Sequence, residues 1–243
     1  MHEQLWFTAL LNRLFAGPAT ALLHALHIHV HNPATPIPNY VAMQILMTGL
    51  LIIFFVMVRA RLSVENPGVL QHTMEGIHSF ISGLGNEIIG HGHERFDSYL
   101  IVLGLYILVG NLLGVIPSLE SPTAIPSVPL GCAILTWFYY HFYGFRINGF
   151  SYLKHFMGPV LALSPLMFLI EIISHLARIM SLTVRLFANI FASDMLTLAF
   201  LSLIPIAIPV VFIGLHIGVS LIQTYIFVLL ATVYLSEAAA HEH

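Results

Sequence analysis

The sequence predicts an all-α, polytopic membrane protein, and three observations carry that prediction. Of its 243 residues 58% are apolar and only 8% charged, where soluble domains carry roughly a quarter charged residues. Mean hydropathy is +0.90. The apolar residues also fall in runs long enough to cross a ~30 Å hydrocarbon layer, separated by short polar links. About five transmembrane helices and one amphipathic surface helix are expected.

Taken in order, residues 1–38 form an extracytoplasmic N-terminal segment and residues 39–243 a single transmembrane domain. The opening stretch "MHEQLWFTALLNRLFAGPATALLHALHIHV" lacks a positive n-region, and Arg13 and Gly17-Pro18 interrupt its apolar character. It reads as one or two interfacial helical segments rather than a signal peptide. His24, His27, His29 and His31 follow at spacings that suit neither one helix face nor a zinc pattern, so a solvated loop without a metal is expected. The first span, about 39–60, is closed by Arg59 and Arg61.

Next, "NPGVLQHTMEGIHSFISGLGNEIIG" repeats apolar residues (Leu70, Met74, Ile77, Ile81, Leu84, Ile88) four and three apart, with Gln71, Glu75, His78 and Ser82 on another face. That predicts an amphipathic helix over about 67–90, lying on the membrane surface or against another helix. A second span over about 97–117 ends at Pro117. The proline-rich turn "SLESPTAIPS" leads to a third, about 125–144, and the polar link "GFRINGFSYLKHFMGP" follows. From Val160 to Leu235 the chain is almost unbroken apolar material, with Pro205 and Pro209 marking a bend. Hydropathy alone fits three upright helices or two longer tilted ones there.

With five spans, Arg59, Arg61, Arg95, Arg146 and Lys154 share one side and only Arg13 lies on the other. The positive-inside rule makes the crowded side cytoplasmic, with the N-terminus outside and the C-terminus inside. A single cysteine, Cys132, excludes an intramolecular disulfide and reads as a small buried hydrophobe. The net charge of −3 and the absence of any basic run argue against nucleic acid.

The chemistry sits in "PLMFLIEIISHLARIMSLTVRLFANIFASD". Glu171, His175, Arg178, Arg185 and Asn189 are separated by four, three, seven and four residues, which puts all five on one helix face. A charge at the bilayer centre costs about 2.5–3.5 kcal/mol on insertion scales, so these groups need partners or water. Glu171 and Arg178 are near enough to close locally; Arg185 has no acid within its own helix and must face something outside it. A weaker second stripe, His216, Ser220 and Gln223 with Tyr234, lies on the last apolar stretch, and Asp194 stands at the far end of the first. Together the stripes read as a hydrated ion path. Two separated arginines are too few for a voltage sensor, and only His175 and His216 are well inside spans, which leaves no facing axial pairs for two haems.

"SLTVRLFANIFA" resembles the arginine signature of subunit a of the F-type rotary ATP synthase, and "NPGVLQHTME", "GNLLGVIP" and "HIGVSLIQTYIFVLLATVYL" resemble its further motifs in the same order. The resemblance spans about Pro67 to Glu237. It implies two long, tilted helices at the end of the chain, spanning about 160–193 and 196–237, and so five spans in all. It implies a c-ring, b-type peripheral stalk subunits, other synthase subunits and lipid as partners, a bacterial plasma membrane, no cofactor and no catalysis by this chain alone. By the same resemblance Arg185 meets the ring carboxylates, and Glu171, with His175 and Arg178 near it, lies toward a cytoplasmic half-channel. Asn189, Asp194, His216 and Gln223 belong to an outer half-channel. Ala188 and Ser193 stand where glycine is frequent in that family, and the turn "ESPTAIPS" lacks the aspartates of some members, leaving Glu120 or water at the outer mouth. A stand-alone proton-coupled transporter, with Arg185 binding an anionic substrate, is the competing reading of the buried charges.

Overall fold

The computed structural model describes residues 5–25, 35–116, 119–149, 152, 164–203 and 208–239, and within them the regular structure is helical. The α-helices are α1 (Trp6–Ala25), α2 (Asn39–Ala60), α3 (Val69–Ile88), α4 (Glu94–Leu113), α5 (Ser127–Asn148), α6 (Ser164–Leu203) and α7 (Ile208–Ala239), with a 3-10 turn at Pro122–Ala124 before α5. Prolines and glycines set several boundaries. Pro38 and Gly68, both extended, precede α2 and α3, Pro126 precedes α5, and Gly149 closes α5 with φ +55°, a conformation that favours glycine.

Among the described residues four helices, α2, α4, α6 and α7, are long and apolar enough to cross a membrane. The fifth expected span is α5. At 22 residues it is long enough, ~33 Å at 1.5 Å per residue. It falls below the other four in hydropathy because one face carries Thr136, Tyr139, Tyr140, His141 and Tyr143. That face turns inward and supplies part of the site below. His141, expected beside a polar loop, is buried there.

The last two helices are a hairpin. Asp194 meets His216 and Arg178 meets Glu237, so residue numbers fall on one helix as they rise on the other. α6 runs past residue 193, the expected end of that span, to Leu203, and Asp194 therefore lies within a helix rather than at a bend. With 40 residues it is ~60 Å long, twice the hydrocarbon thickness, and tilting is how a helix accommodates that mismatch. α7 begins Ile208-Pro209, a position where proline's missing N–H costs nothing.

α4 stands at the centre, packed against α2, α3 and α7. Its small residues let the neighbours come close: a Cβ added at Gly104 would lie 3.1 Å from Val228, and one at Gly110 would lie 2.9 Å from Met47 Sδ and 3.2 Å from the Thr123 methyl. α3 lays its apolar face, centred on Ile81, against this core together with Met74, Ile77 and Leu84, while Glu75 and His78 point outward. Contact with α4 and α7 is thus how its amphipathic pattern is used. α1 is a single helix docked on the chain before α2. The Asn12 side chain pairs with both the N–H and the C=O of Ile37, each at 3.0 Å.

Gly110→Val should force α2 and the 121–124 turn off α4, at about 1–3 kcal/mol for overpacking. A lowered thermal midpoint of the purified protein would register it, and an unchanged midpoint would contradict the close packing.

Candidate functional site: two acid–histidine clusters and an arginine between them

The polar face expected on α6 exists, but its two halves face different surroundings. Glu171, His175 and Arg178 turn toward α5 and α7, whereas Arg185 and Asn189 come to the outer surface of the hairpin. Leu182, Leu186 and Ile190 anchor this part of the helix in the core, each under 4% exposed. On the same face as Arg185 the exposed neighbours one turn away, Ser181 and Asn189, are polar, while Met180, Val184 and Phe191 make the flanking exposed surface apolar. Its guanidinium donates to Ser181 Oγ at 3.4 Å, and among the described residues no acid pairs with it.

Beyond Arg185 in the chain, His216 of α7 is 3% exposed and held from two neighbouring helices. Its Nε2 lies 3.0 Å from the Asn111 carbonyl of α4, and its Nδ1 lies 3.0 Å from Ser193 Oγ and 3.3 Å from Asp194 Oδ1, both of α6. A carbonyl only accepts, so Nε2 carries a hydrogen and Nδ1 is the nitrogen left for proton exchange. Asn111 is itself fixed, its side-chain oxygen accepting from Thr123 Oγ1 at 2.6 Å and its amide reaching the Ser220 carbonyl at 3.5 Å. Gln223, 9% exposed, lies two turns further along α7, near the level of Asn189 in the antiparallel register.

The opposite end holds a second cluster. The His175 ring lies between Tyr140 Oη, 2.8 Å from Nδ1, and Glu171 Oε1, 3.4 Å from Nε2. Tyr140 donates to Nδ1, which leaves Nε2–H directed at the carboxylate. His141 packs edge-on against His175 with ring centroids 4.6 Å apart, and its Nδ1 meets Tyr152 Oη at 2.9 Å. Burial pushes the Tyr152 phenol up to about 12, so its O–H is a donor at any working pH. Arg178 does not close on Glu171, the pairing its spacing allows. It forms an ion pair with Glu237 of α7 and lies over the Tyr234 ring. A cavity of about 30 Å³, room for about one water, lies among Tyr140, Tyr152, Glu171, His175, Arg178 and Glu237.

The eight sequence candidates thus divide. Glu171, His175 and Arg178 share one cluster, Asp194 and His216 meet directly in the other, Gln223 is buried nearby, and Arg185 and Asn189 face outward between them. Glu171 and Asp194 are 23 residues apart on one helix, ~35 Å. Sequence reasoning missed Asn111, Tyr140, Tyr152, Ser193 and Glu237. Asn111 and Glu237 do lie inside or at the edge of quoted motifs; the two tyrosines carried no signal apart from their place in aromatic-rich stretches. Of the N-terminal histidines His24 is exposed, and His27, His29 and His31 lie outside the described residues.

Fold and site together define a class: a multi-pass helical membrane protein whose terminal hairpin carries acid–histidine pairs toward both ends and an unneutralised arginine between. Comparison with known proteins refines this. The family model described as ATP synthase A chain matches residues 41–236. The chain is 60% identical to ATP synthase subunit a of Koribacter versatilis (strain Ellin345), covering all of both proteins. It is 46% identical to the protein of the same name from Solibacter usitatus (strain Ellin6076), over 86% of this chain and 91% of that one. Against the Aquifex aeolicus (strain VF5) protein it is 40% identical over 81% of this chain and 95% of that one. The chain belongs to the ATP synthase subunit a family.

Tyr140→Phe removes the donor that fixes the His175 tautomer. In ¹⁵N spectra of the histidine-labelled protein, His175 should change from one neutral tautomer to a mixture of two; an unaltered spectrum would mean that Tyr140 does not set it.

Proposed function

We propose that this chain is the proton-translocating stator subunit of an F-type ATP synthase, non-catalytic by itself, which couples proton flow to rotation of a c-ring. The observation that carries this reading is Arg185: a guanidinium near the middle of the long hairpin, on an outward face flanked by apolar residues, with no acid paired to it among the described residues. A neighbouring carboxylate supplied by another subunit would complete it. A stand-alone transporter that binds an anion at Arg185 accounts for the buried charges but not for the family match along residues 41–236.

Arginine stays charged at any working pH. A ring carboxylate arriving opposite Arg185 is favoured as the anion and gives up its proton. On leaving toward lipid it must be neutral again, because an isolated charge in hydrocarbon is expensive. Rotation in one direction therefore requires proton uptake on one side of Arg185 and release on the other. The two acid–histidine clusters suit those tasks, Asp194 and His216 with Gln223 and Asn189 for one half-channel, Glu171 and His175 for the other. The fixed cation between them also opposes a direct leak. Each proton crossing 100 mV supplies about 2.3 kcal/mol.

Sidedness follows from the cations. Arg59 and Arg61 close α2, Arg95 opens α4 and Arg146 lies in the last turn of α5. The end of α5 and the end of α3 just before α4 meet the C-terminal end of α7, where Asn148 bonds the Ala238 carbonyl and Ser236 bonds the Ile88 carbonyl, and α2 packs along α4. The positive-inside rule makes this side, with Glu171 and Glu237, cytoplasmic and the Asp194 end extracytoplasmic. A bacterial plasma membrane, and b-type peripheral stalk subunits as further partners, belong to the same reading.

In the reconstituted complex Arg185→Ala should abolish ATP-driven proton pumping while the soluble sector still hydrolyses ATP; pumping retained in that variant would reject the reading. His216→Ala should slow proton flux into vesicles without abolishing it, because Asp194 and Ser193 remain.

A further inference from the structure

The ion pair between Arg178 and Glu237 is not needed to hold a charge-free hairpin together, and it borders the cavity that Glu171 and His175 share. We propose that Glu237 is a positioning residue for proton exchange at this end: it holds the Arg178 guanidinium against α7 and keeps it off Glu171. The inference rests on the reading that Glu171 and His175 belong to the cytoplasmic half-channel.

Arg178 and Glu171 lie on one face of α6, seven residues apart, a rise of ~10 Å that two extended side chains can close. Both line the same cavity. Two contacts draw the guanidinium the other way, the Glu237 carboxylate and the Tyr234 ring, whose centroid is 4.8 Å from Arg178 Cζ, and both belong to α7. The pair is also lopsided. The Arg178 side chain is 24% exposed and that of Glu237 is 49% exposed. Without Arg178, Glu237 is left half in solvent. Without Glu237, a mostly buried cation loses its carboxylate, a costly state, and Glu171 is the other acid on the cavity. Closure of Arg178 on Glu171 would form a charge-assisted, two-point pair. It would displace His175 from that carboxylate and fill the space for a bridging water. A carboxylate locked to a permanent cation no longer exchanges protons with its neighbour.

The test uses the whole synthase in sealed vesicles, with ATP-driven acidification measured per assembled complex for Glu171→Gln, Glu237→Gln, Arg178→Met and the Arg178→Met/Glu237→Gln pair. Glu237→Gln should slow pumping about fivefold, within the usual range of coupling between contacting residues. The double variant should pump as fast as Arg178→Met alone, since no cation is left to fall on Glu171. A simple structural pair predicts no such rescue, and a double variant as slow as Glu237→Gln overturns the proposal. Should Glu237→Gln fail to assemble, the comparison within the Arg178→Met background decides: equal rates support the positioning role, and a further loss in the double variant overturns it by showing that Glu237 acts on its own. Undiminished pumping in Glu171→Gln would sink the half-channel reading itself. Slow Glu171→Gln with normal Glu237→Gln would sink the positioning role alone.

Discussion

A permanent cation near the middle of α6, with no acid paired to it among the described residues, is the constraint around which the hairpin is arranged. Insertion scales put such a charge at about 2.5–3.5 kcal/mol in the bilayer centre, and among the described residues the chain offers it no acid, with a long contact to Ser181 in its place. It instead fixes the helix that carries it. Leu182, Leu186 and Ile190 are sunk in the core beside it on α6, so the guanidinium is presented from a rigid element rather than from a loop. The other charged groups of the helix are treated differently: Glu171, Arg178 and Asp194 each have a partner on the same or a facing helix. Arg185 is the exception among them, and an exception kept at energetic cost marks a functional position.

The remaining architecture serves to bring polar groups to that hairpin without opening the core. α4 does most of this. Gly104 and Gly110 let α7, α2 and the 121–124 turn approach closely, and that approach delivers the Asn111 carbonyl to His216. α5 does the equivalent at the other end. It gives up hydropathy to carry Tyr140 and His141 inward, and its Gly144 leaves room for the Tyr152 ring beside it. The polarity that weakens α5 as a membrane span and the polarity that builds the cluster are the same residues.

This explains what was legible in the sequence. The stripe from Glu171 to Asn189 could be read because helical period alone relates its members, and Arg185 stood out because nothing within reach on its helix could neutralise it. The amphipathic face of α3 was legible for the same reason. Asn111, Tyr140 and Glu237 were not, because their partners arrive from 105, 35 and 59 residues away in the chain. Periodicity carries no trace of such contacts. Glu237 in particular lies just past the apolar run that ends at Leu235, outside both polar stripes. The local pairing of Glu171 with Arg178 was reasonable on spacing and is not what forms, since α7 offers the guanidinium both a carboxylate and an aromatic face.

The two clusters use the same parts in opposite senses. At His175 the phenol of Tyr140 occupies Nδ1 as a donor, so the neutral ring directs an N–H at Glu171, and an ionised carboxylate there is satisfied. At His216 the Asn111 carbonyl commits Nε2 as the donor, so the neutral ring directs a lone pair at Asp194. Ser193 Oγ, 3.0 Å from the same nitrogen, can donate to that lone pair, and Asp194 lies 3.3 Å from it. The two rings therefore present opposite groups to their acids, an N–H to Glu171 and a lone pair to Asp194. The asymmetry comes from which uncharged group, a phenol or a backbone carbonyl, reaches each ring.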